Sequence, residues 1–266
     1  MLTDAHCHPY DLARFIPQAE QERCRLGVLA AASACDSKEF AHNEELALKA
    51  AEKGAAPLLP CFAIHPQQPA ASSTFKIKSD EQMQMLDALA AQGKIAAVGE
   101  CGFDLYDEAY RETDKLQESI FTHHLEAALR YDLSVVLHVR RAMHKIFAVT
   151  KSLAKCRAVV FHSWPGTFEE GLALLRRGVN AYFSFGNVIL NGHKKALHCC
   201  SVFPAERLLT ETDAPFQPAR GQSFSQWSDL VRIVEGISSL RREAGENINE
   251  KELEAQVEIN FRKAFL

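Results

Sequence analysis

The sequence predicts a (β/α)8 barrel formed as one domain by residues 1–266. Three observations carry that prediction. Eight short apolar runs recur along the chain. Longer amphipathic segments follow most of them. Histidines and carboxylates gather at or just past the ends of the runs. Continuous apolar runs suit parallel strands covered on both faces. Strands alternating with helices close into a barrel, and such barrels build their sites at the C-terminal strand ends. An open doubly wound sheet is the architectural alternative.

The runs are Met1–His6, Leu26–Ala32, Ala56–Ile64, Ile95–Glu100, Ser134–Val139, Ala158–His162, Asn180–Phe185 and Arg207–Glu211. Between the fourth and fifth runs, DKLQESIFTHHLEAALRYD places Leu116, Ile120, Leu125 and Leu129 at helical spacing. TFEEGLALLRRG sets Leu172 and Leu175 on one face and ends on Gly178 as a C-cap. SQWSDLVRIVEGISSLRR repeats the pattern with Trp227, Leu230, Val231, Val234 and Ile237, and a last helix covers Asn249–Phe265. The segment Gln67–Lys78 reads as a loop and as the mobile part of the chain.

With 47% hydrophobic and 24% charged residues, the 266-residue chain has an ordinary globular composition and can bury a sizeable core. A formal net charge of −4 argues against a basic coat for gripping duplex backbone. Nucleic acid remains admissible as a substrate, because bound metal ions supply positive charge locally. The eight cysteines include no CxxC pair and sit in apolar segments, which reads as reduced thiols. Cys199 and Cys200 share a helix-like stretch, which argues against a disulfide or metal pair there. There is no basic-then-apolar leader and no apolar run of transmembrane length. The expectation is a cytoplasmic protein without a membrane segment, monomeric and without an obligate protein partner.

The chemistry lies at the run ends. His6 and His8 end the first run, His65 follows the third, Glu100 ends the fourth, and His138 and His162 end the fifth and sixth. Asp213 follows the eighth. His6 and His8 are two apart, so on a strand they point to one side and can chelate one ion, with Cys7 turned to packing. Each residue has a bland reading. A strand-end histidine can be satisfied by a carbonyl, Glu100 can pair at the surface, and Asp213 can cap a helix with Pro215 at its first position. The agreement of their positions favours metal. Four imidazoles and two carboxylates suit zinc, manganese, cobalt or iron better than a pure magnesium site. Six side chains exceed one tetrahedral shell, so the count implies two divalent ions sharing a carboxylate. Such a pair serves phosphoryl transfer, with Asp213 as the group that orients water and takes its proton.

With these residues in place, the chain resembles the TatD family of metal-dependent deoxyribonucleases. DAHCH is similar to the family's DxHxH, AIHPQQP to its GxHP, and VGECGFDLY to its GEIGLDYY. VLHVRRA is similar to HxRxA, FHSWPGT to HxFxG, LLTETDAPF to LLETDxP, and EINFRKAF to the closing NxxxxF. The resemblance implies a first metal on His6, His8, Glu100 and Asp213. It implies a second on Glu100, His138 and His162, with Glu100 bridging and Asp213 as base. The ions it implies are magnesium, manganese or zinc. His65 and Arg140 would contact substrate phosphate. Glu211 either faces the site or partners a neighbouring strand, and Asp4 is a candidate to hydrogen-bond a ligand histidine. The chain departs from the family at FQPARGQSFSQW, which lacks the usual Asn and Pro, and at Trp164 in place of Phe. The Trp164 ring either stacks on a base or packs.

The leading expectation is therefore a 3′–5′ exonuclease on single-stranded DNA or RNA ends. The alternative is a small-molecule hydrolase of amidohydrolase, lactonase or phosphotriesterase type. Such enzymes often bridge their metals with a modified lysine on the fourth strand, where this chain has Glu100, and Lys94 precedes the strand. A non-catalytic scaffold is the third reading, and the intact ligand set counts against it.

Overall fold

The computed structural model describes residues 1–71 and 75–266; the side chains of residues 75–78 fall outside that set. Eight parallel strands lie side by side in sequence order: β1 (Thr3–Cys7), β2 (Leu29–Ala32), β3 (Leu58–Phe62), β4 (Ala97–Asp104), β5 (Ser134–Arg140), β6 (Val159–Phe161), β7 (Ala181–Phe185) and β8 (Leu208–Thr210). The β8 end is tied to β1. Thr210 Oγ1 donates to the Thr3 carbonyl at 2.8 Å, Asp213 N to the His6 carbonyl at 2.9 Å, and His8 N to the Ala214 carbonyl at 2.8 Å. The result is a (β/α)8 barrel of one domain, with helices between the strands.

Alternation along β5 and β6 shows how the sequence divides its apolar residues. Val136 and Val160 share an inner cluster with Ala5, Leu209 and Tyr182. Val135, Leu137, Val159 and Phe161 pack outward in the larger cluster. Both faces are thus covered, which is why these strands read as unbroken apolar runs. His138 continues the inward side of Val136, and His162 that of Val160. The final helix, Glu250–Phe265, sends Phe261 and Phe265 into the inner cluster.

Simple alternation fails at two strands, and both failures serve the site. On β1 the pairing runs from Asp4↔Ala30 to Cys7↔Ala32, three residues against two. On β4 it runs from Val98↔Val135 to Cys101↔Leu137, again three against two. An extra residue of this kind turns side chains to a new direction. His6 and Glu100 sit on those two extra-residue stretches. The glycines around Glu100 permit the close approach of β4 to β5. A Cβ on Gly99 would lie 2.5 Å from Val136 Cβ, and one on Gly102 would lie 2.2 Å from the His138 carbonyl oxygen.

Several sequence expectations need correction. The Gln67–Lys78 segment contains the short helix Gln68–Ala71 and the start of the helix Phe75–Ala91; residues 72–74 lie outside the described residues. In the helix Phe168–Arg176, Gly171 and Leu174 are buried, and Leu172 and Leu175 are only half-buried. The apolar face is rotated because Gly171 lets the Phe203 ring approach. In Asp229–Glu243, Val231 is exposed and Ile233 takes the buried position, while Trp227 is buried ahead of the helix. Leu129, at the end of Asp114–Arg130, is exposed. Cys199 and Cys200 lie in one helix, and all eight cysteines are free. Among the described residues, no helix is long and apolar enough to cross a membrane.

Candidate metal centre

The strand ends converge on Glu100, which is 5% exposed at the barrel mouth. Its two oxygens face different neighbours. Oε2 lies 3.0 Å from His6 Nε2 and 3.5 Å from His8 Nε2. Oε1 lies 2.7 Å from His138 Nδ1, 3.2 Å from His65 Nε2 and 3.5 Å from His162 Nε2. Asp213 Oδ1 is 3.5 Å from both His6 Nε2 and His8 Nε2, and those two ring nitrogens are 3.1 Å apart. A tetrahedral ion with bonds of about 2.1 Å needs donor atoms about 3.4 Å apart. His6, His8, Glu100 and Asp213 offer donors at that spacing, so the set fits a divalent ion. His65, Glu100 and His138 form a second group of donors within 4.8 Å of one another.

All six predicted ligands are therefore brought together around Glu100. His162 groups with His6 and Asp213 as well as lying near Glu100, and His65 stands beside His138 on the other flank. The carboxyl of Glu100 is held well below its usual range. Burial opposes this, and the surrounding His65, His6 and His162 overcome it. Asp213 is likewise depressed against its burial by His162 and His8. Burial alone would strip His8 and His162 of their protons. Carboxylates beside them, Asp213 and Glu100 for His8 and Glu211 first for His162, instead raise both to about 10. A cation entering the cluster competes with these protons.

Neighbouring groups fix the ring orientations. Ser33 Oγ sits 3.1 Å from His6 Nδ1, and Glu211 Oε1 sits 3.1 Å from His162 Nδ1, leaving both Nε2 atoms to the centre. Glu211 also accepts from Ser163 N at 2.7 Å, so it steadies His162. Asp4 hydrogen-bonds the candidate ligand His6 at its backbone and not its ring: it accepts from His6 N, and from Thr212 N and Oγ1. Burial lifts its carboxyl to about 8 although those donors pull the other way.

Three contributors escaped the sequence reading: Ser33 beside His6, Asp104 and Gln217. Asp104 Oδ2 lies 3.0 Å from His138 Nε2 and accepts from Gln67 Nε2 at 2.7 Å. It accepts the His138 Nε2–H hydrogen bond, leaving Nδ1 for the centre. Its place four residues after Glu100 on the same strand was the available signal. Gln217 Nε2 donates to Asp213 Oδ2 at 2.7 Å, and Gln217 Oε1 accepts from Ser163 Oγ at 3.0 Å. Gln217 lies in the stretch that departs from the family pattern. Asp213, Gln217 and Ser163 all have positive φ, of 53°, 49° and 43°. Strained backbone of that kind persists where surrounding structure imposes it, often at functional sites. No helix follows Asp213 until Asp229, so it caps none.

Arg140 is exposed, with its guanidinium 3.6 Å above the Tyr106 ring, and it lines the same cleft of about 950 Å³ as the cluster. Trp164 does not reach that cleft. It is 4% exposed and packs against Phe161, Phe183 and Phe203, which rules out base stacking. Lys94 pairs with Glu44 at 2.8 Å and takes no part in the cluster.

Comparison with known proteins adds a lineage. A family model described as TatD related DNase matches residues 3–266. A protein of Pantoea sp. (strain At-9b) named 3′-5′ ssDNA/RNA exonuclease TatD is 30% identical over 209 residues, spanning 76% of this chain and 75% of that protein. An uncharacterized metal-dependent hydrolase of Mycoplasma pneumoniae is 27% identical over 247 residues, spanning 90% of this chain and 91% of that one. The structure of YjjV, a TatD homolog from Escherichia coli K12, superimposes with a TM-score of 0.82 at 24% identity over 99% of this chain and 97% of that chain, a likeness of fold.

Proposed function

The chain belongs to the TatD-related DNase family of metal-dependent hydrolases, and from that premise we propose that it is a nuclease removing nucleotides from the 3′ end of single-stranded DNA or RNA. The observation that carries the reading is Glu100, with one oxygen turned to His6 and His8 and the other to His65, His138 and His162. That arrangement suits two divalent ions sharing one carboxylate. His6, His8, Glu100 and Asp213 would hold one, and Glu100, His65, His138 and His162 surround the place of the other. Bound there, the ions would neutralise phosphodiester charge and acidify water.

The chain's own groups supply the rest. Asp213 is the proton acceptor. Its carboxyl is depressed and therefore ionised, and Gln217 holds its Oδ2 in place. Arg140, stacked on the Tyr106 ring at the cleft wall, would receive a phosphate oxygen by charge-assisted hydrogen bonds. The test uses metal-stripped protein, single-stranded DNA labelled at its 5′ end, and added magnesium, manganese or zinc. A ladder shortening from the 3′ end only with metal is the expected result. No cleavage by protein shown to rebind metal would turn the reading to a small-molecule hydrolase.

A further inference from the structure

Among the described residues the cleft carries two aromatic rings that the chemistry above does not use, the half-buried Tyr110 and the exposed Phe216. Phe216 is 48% exposed, although the residues before it, Asp213, Ala214 and Pro215, are buried. A lone exposed phenylalanine elsewhere on a surface needs no explanation. This one lines the cleft and stands edge-on to a candidate ligand, its ring 5.2 Å from that of His8 at 75°. Its backbone is pinned. Phe216 N donates to the Asp213 carbonyl at 2.6 Å, Ser225 N donates to the Pro215 carbonyl at 3.1 Å, and Ser225 Oγ donates to the Phe216 carbonyl. The backbone thus holds Phe216 next to the reacting centre, where its ring touches His8 and stays about half exposed.

The other aromatic rings near the mouth differ. Trp164 is buried among phenylalanines, and the Tyr106 ring is covered by the guanidiniums of Arg140 and Arg141. Strand order sets Phe216 and Arg140 apart. Phe216 follows β8, next to β1, and Arg140 ends β5, on the far side of the ring. An apolar aromatic face and a cation on opposite sides of a metal cluster match the two halves of a nucleotide unit, base and phosphate.

We propose that Phe216 is the stacking platform for the base of the 3′-terminal nucleotide. The proposal rests on the nuclease reading. Stacking on an aromatic side chain tolerates any base and needs no hydrogen-bond readout. The metal-loaded protein is given 5′-labelled single strands that end either in a normal nucleotide or in an abasic tetrahydrofuran residue. The quantity read is the ratio of kcat/KM for release of the two termini. The wild type is expected to favour the base-bearing end about tenfold or more. In Phe216→Ala the ratio falls toward one, and Phe216→Tyr, which keeps a ring, restores it. A wild-type ratio near one overturns the proposal, as does a ratio unchanged in Phe216→Ala. Loss of the ratio in Tyr110→Ala alone also overturns it, because Tyr110 is the half-buried aromatic on the β4 side of the cleft. If the wild type cleaves neither strand, the nuclease reading itself falls, a result distinct from cleavage without preference.

Discussion

Asp213 shows how much one side chain depends on its immediate neighbours. It sits at φ 53° with Oδ1 toward His6 and His8 and Oδ2 on Gln217. Asp213→Asn keeps the shape and removes the proton acceptor. The expected outcome is a folded protein by circular dichroism with kcat lower by about 10²–10⁴. Equal turnover would sink the base role. Gln217→Leu removes one hydrogen bond to a charged group, worth about 1.5–3 kcal/mol. The fall in kcat is then roughly tenfold or more, with a smaller change in KM, and a pure KM effect would assign Gln217 to substrate binding instead. Asp213 is legible in the sequence because its motif is contiguous. Gln217 was not, because its role depends on a turn that brings it back over a residue four positions earlier.

At the scale of elements, the helix Asp114–Arg130 is fastened to the end of β3 by a neutral histidine. Ile64 N donates to His124 Nε2 at 3.1 Å, so that nitrogen must be unprotonated. Burial lowers His124 to about 3 from its ordinary 6.5. The unfolded chain therefore binds a proton between these values that the native state refuses, and stability falls as pH drops below about 6.5. The loss amounts to roughly 2–4 kcal/mol by pH 4. Thermal melts of wild type and His124→Gln from pH 7.5 to 4 test this, with the variant expected to show the shallower decline. Parallel declines would remove His124 from the account. The same scale shows why helix faces were misjudged. Spacing gives the period of a helix, whereas its rotation depends on the partner, as where Phe203 approaches at Gly171.

Across the whole molecule, the candidate metal cluster joins β1, β4, β5, the turn after β8 and the loops after β3 and β6. Ions that bind only the native cluster stabilise the entire barrel, by about 2.7 kcal/mol at a hundredfold excess over Kd. Chelation should lower Tm by roughly 5–10 °C. Loading should also release protons near pH 7, since His8 and His162, at about 10, are charged in the metal-free cluster and must be neutral to ligate. Calorimetric titration in buffers of different ionisation enthalpy measures that release. Loading without proton release would mean that His8 and His162 are already neutral before the ion enters.

The sequence by itself determined the barrel, its strand count and the candidate residues that the structure gathers at the mouth, because these are local properties. Apolar runs report strands buried on both faces, and a histidine or carboxylate at a run end reports a group at the mouth. It also carried the family resemblance, since the motifs are short and contiguous. Tertiary structure decided what depends on contact between distant segments. It placed His65 beside Glu100 and His138, gave Asp104 to His138, turned Asp4 to backbone, buried Trp164 and left the Phe216 ring open. The reason is physical. His6 and Glu100 meet because an extra residue in each of β1 and β4 re-aims them, and a register shift exists only between two strands, never within one.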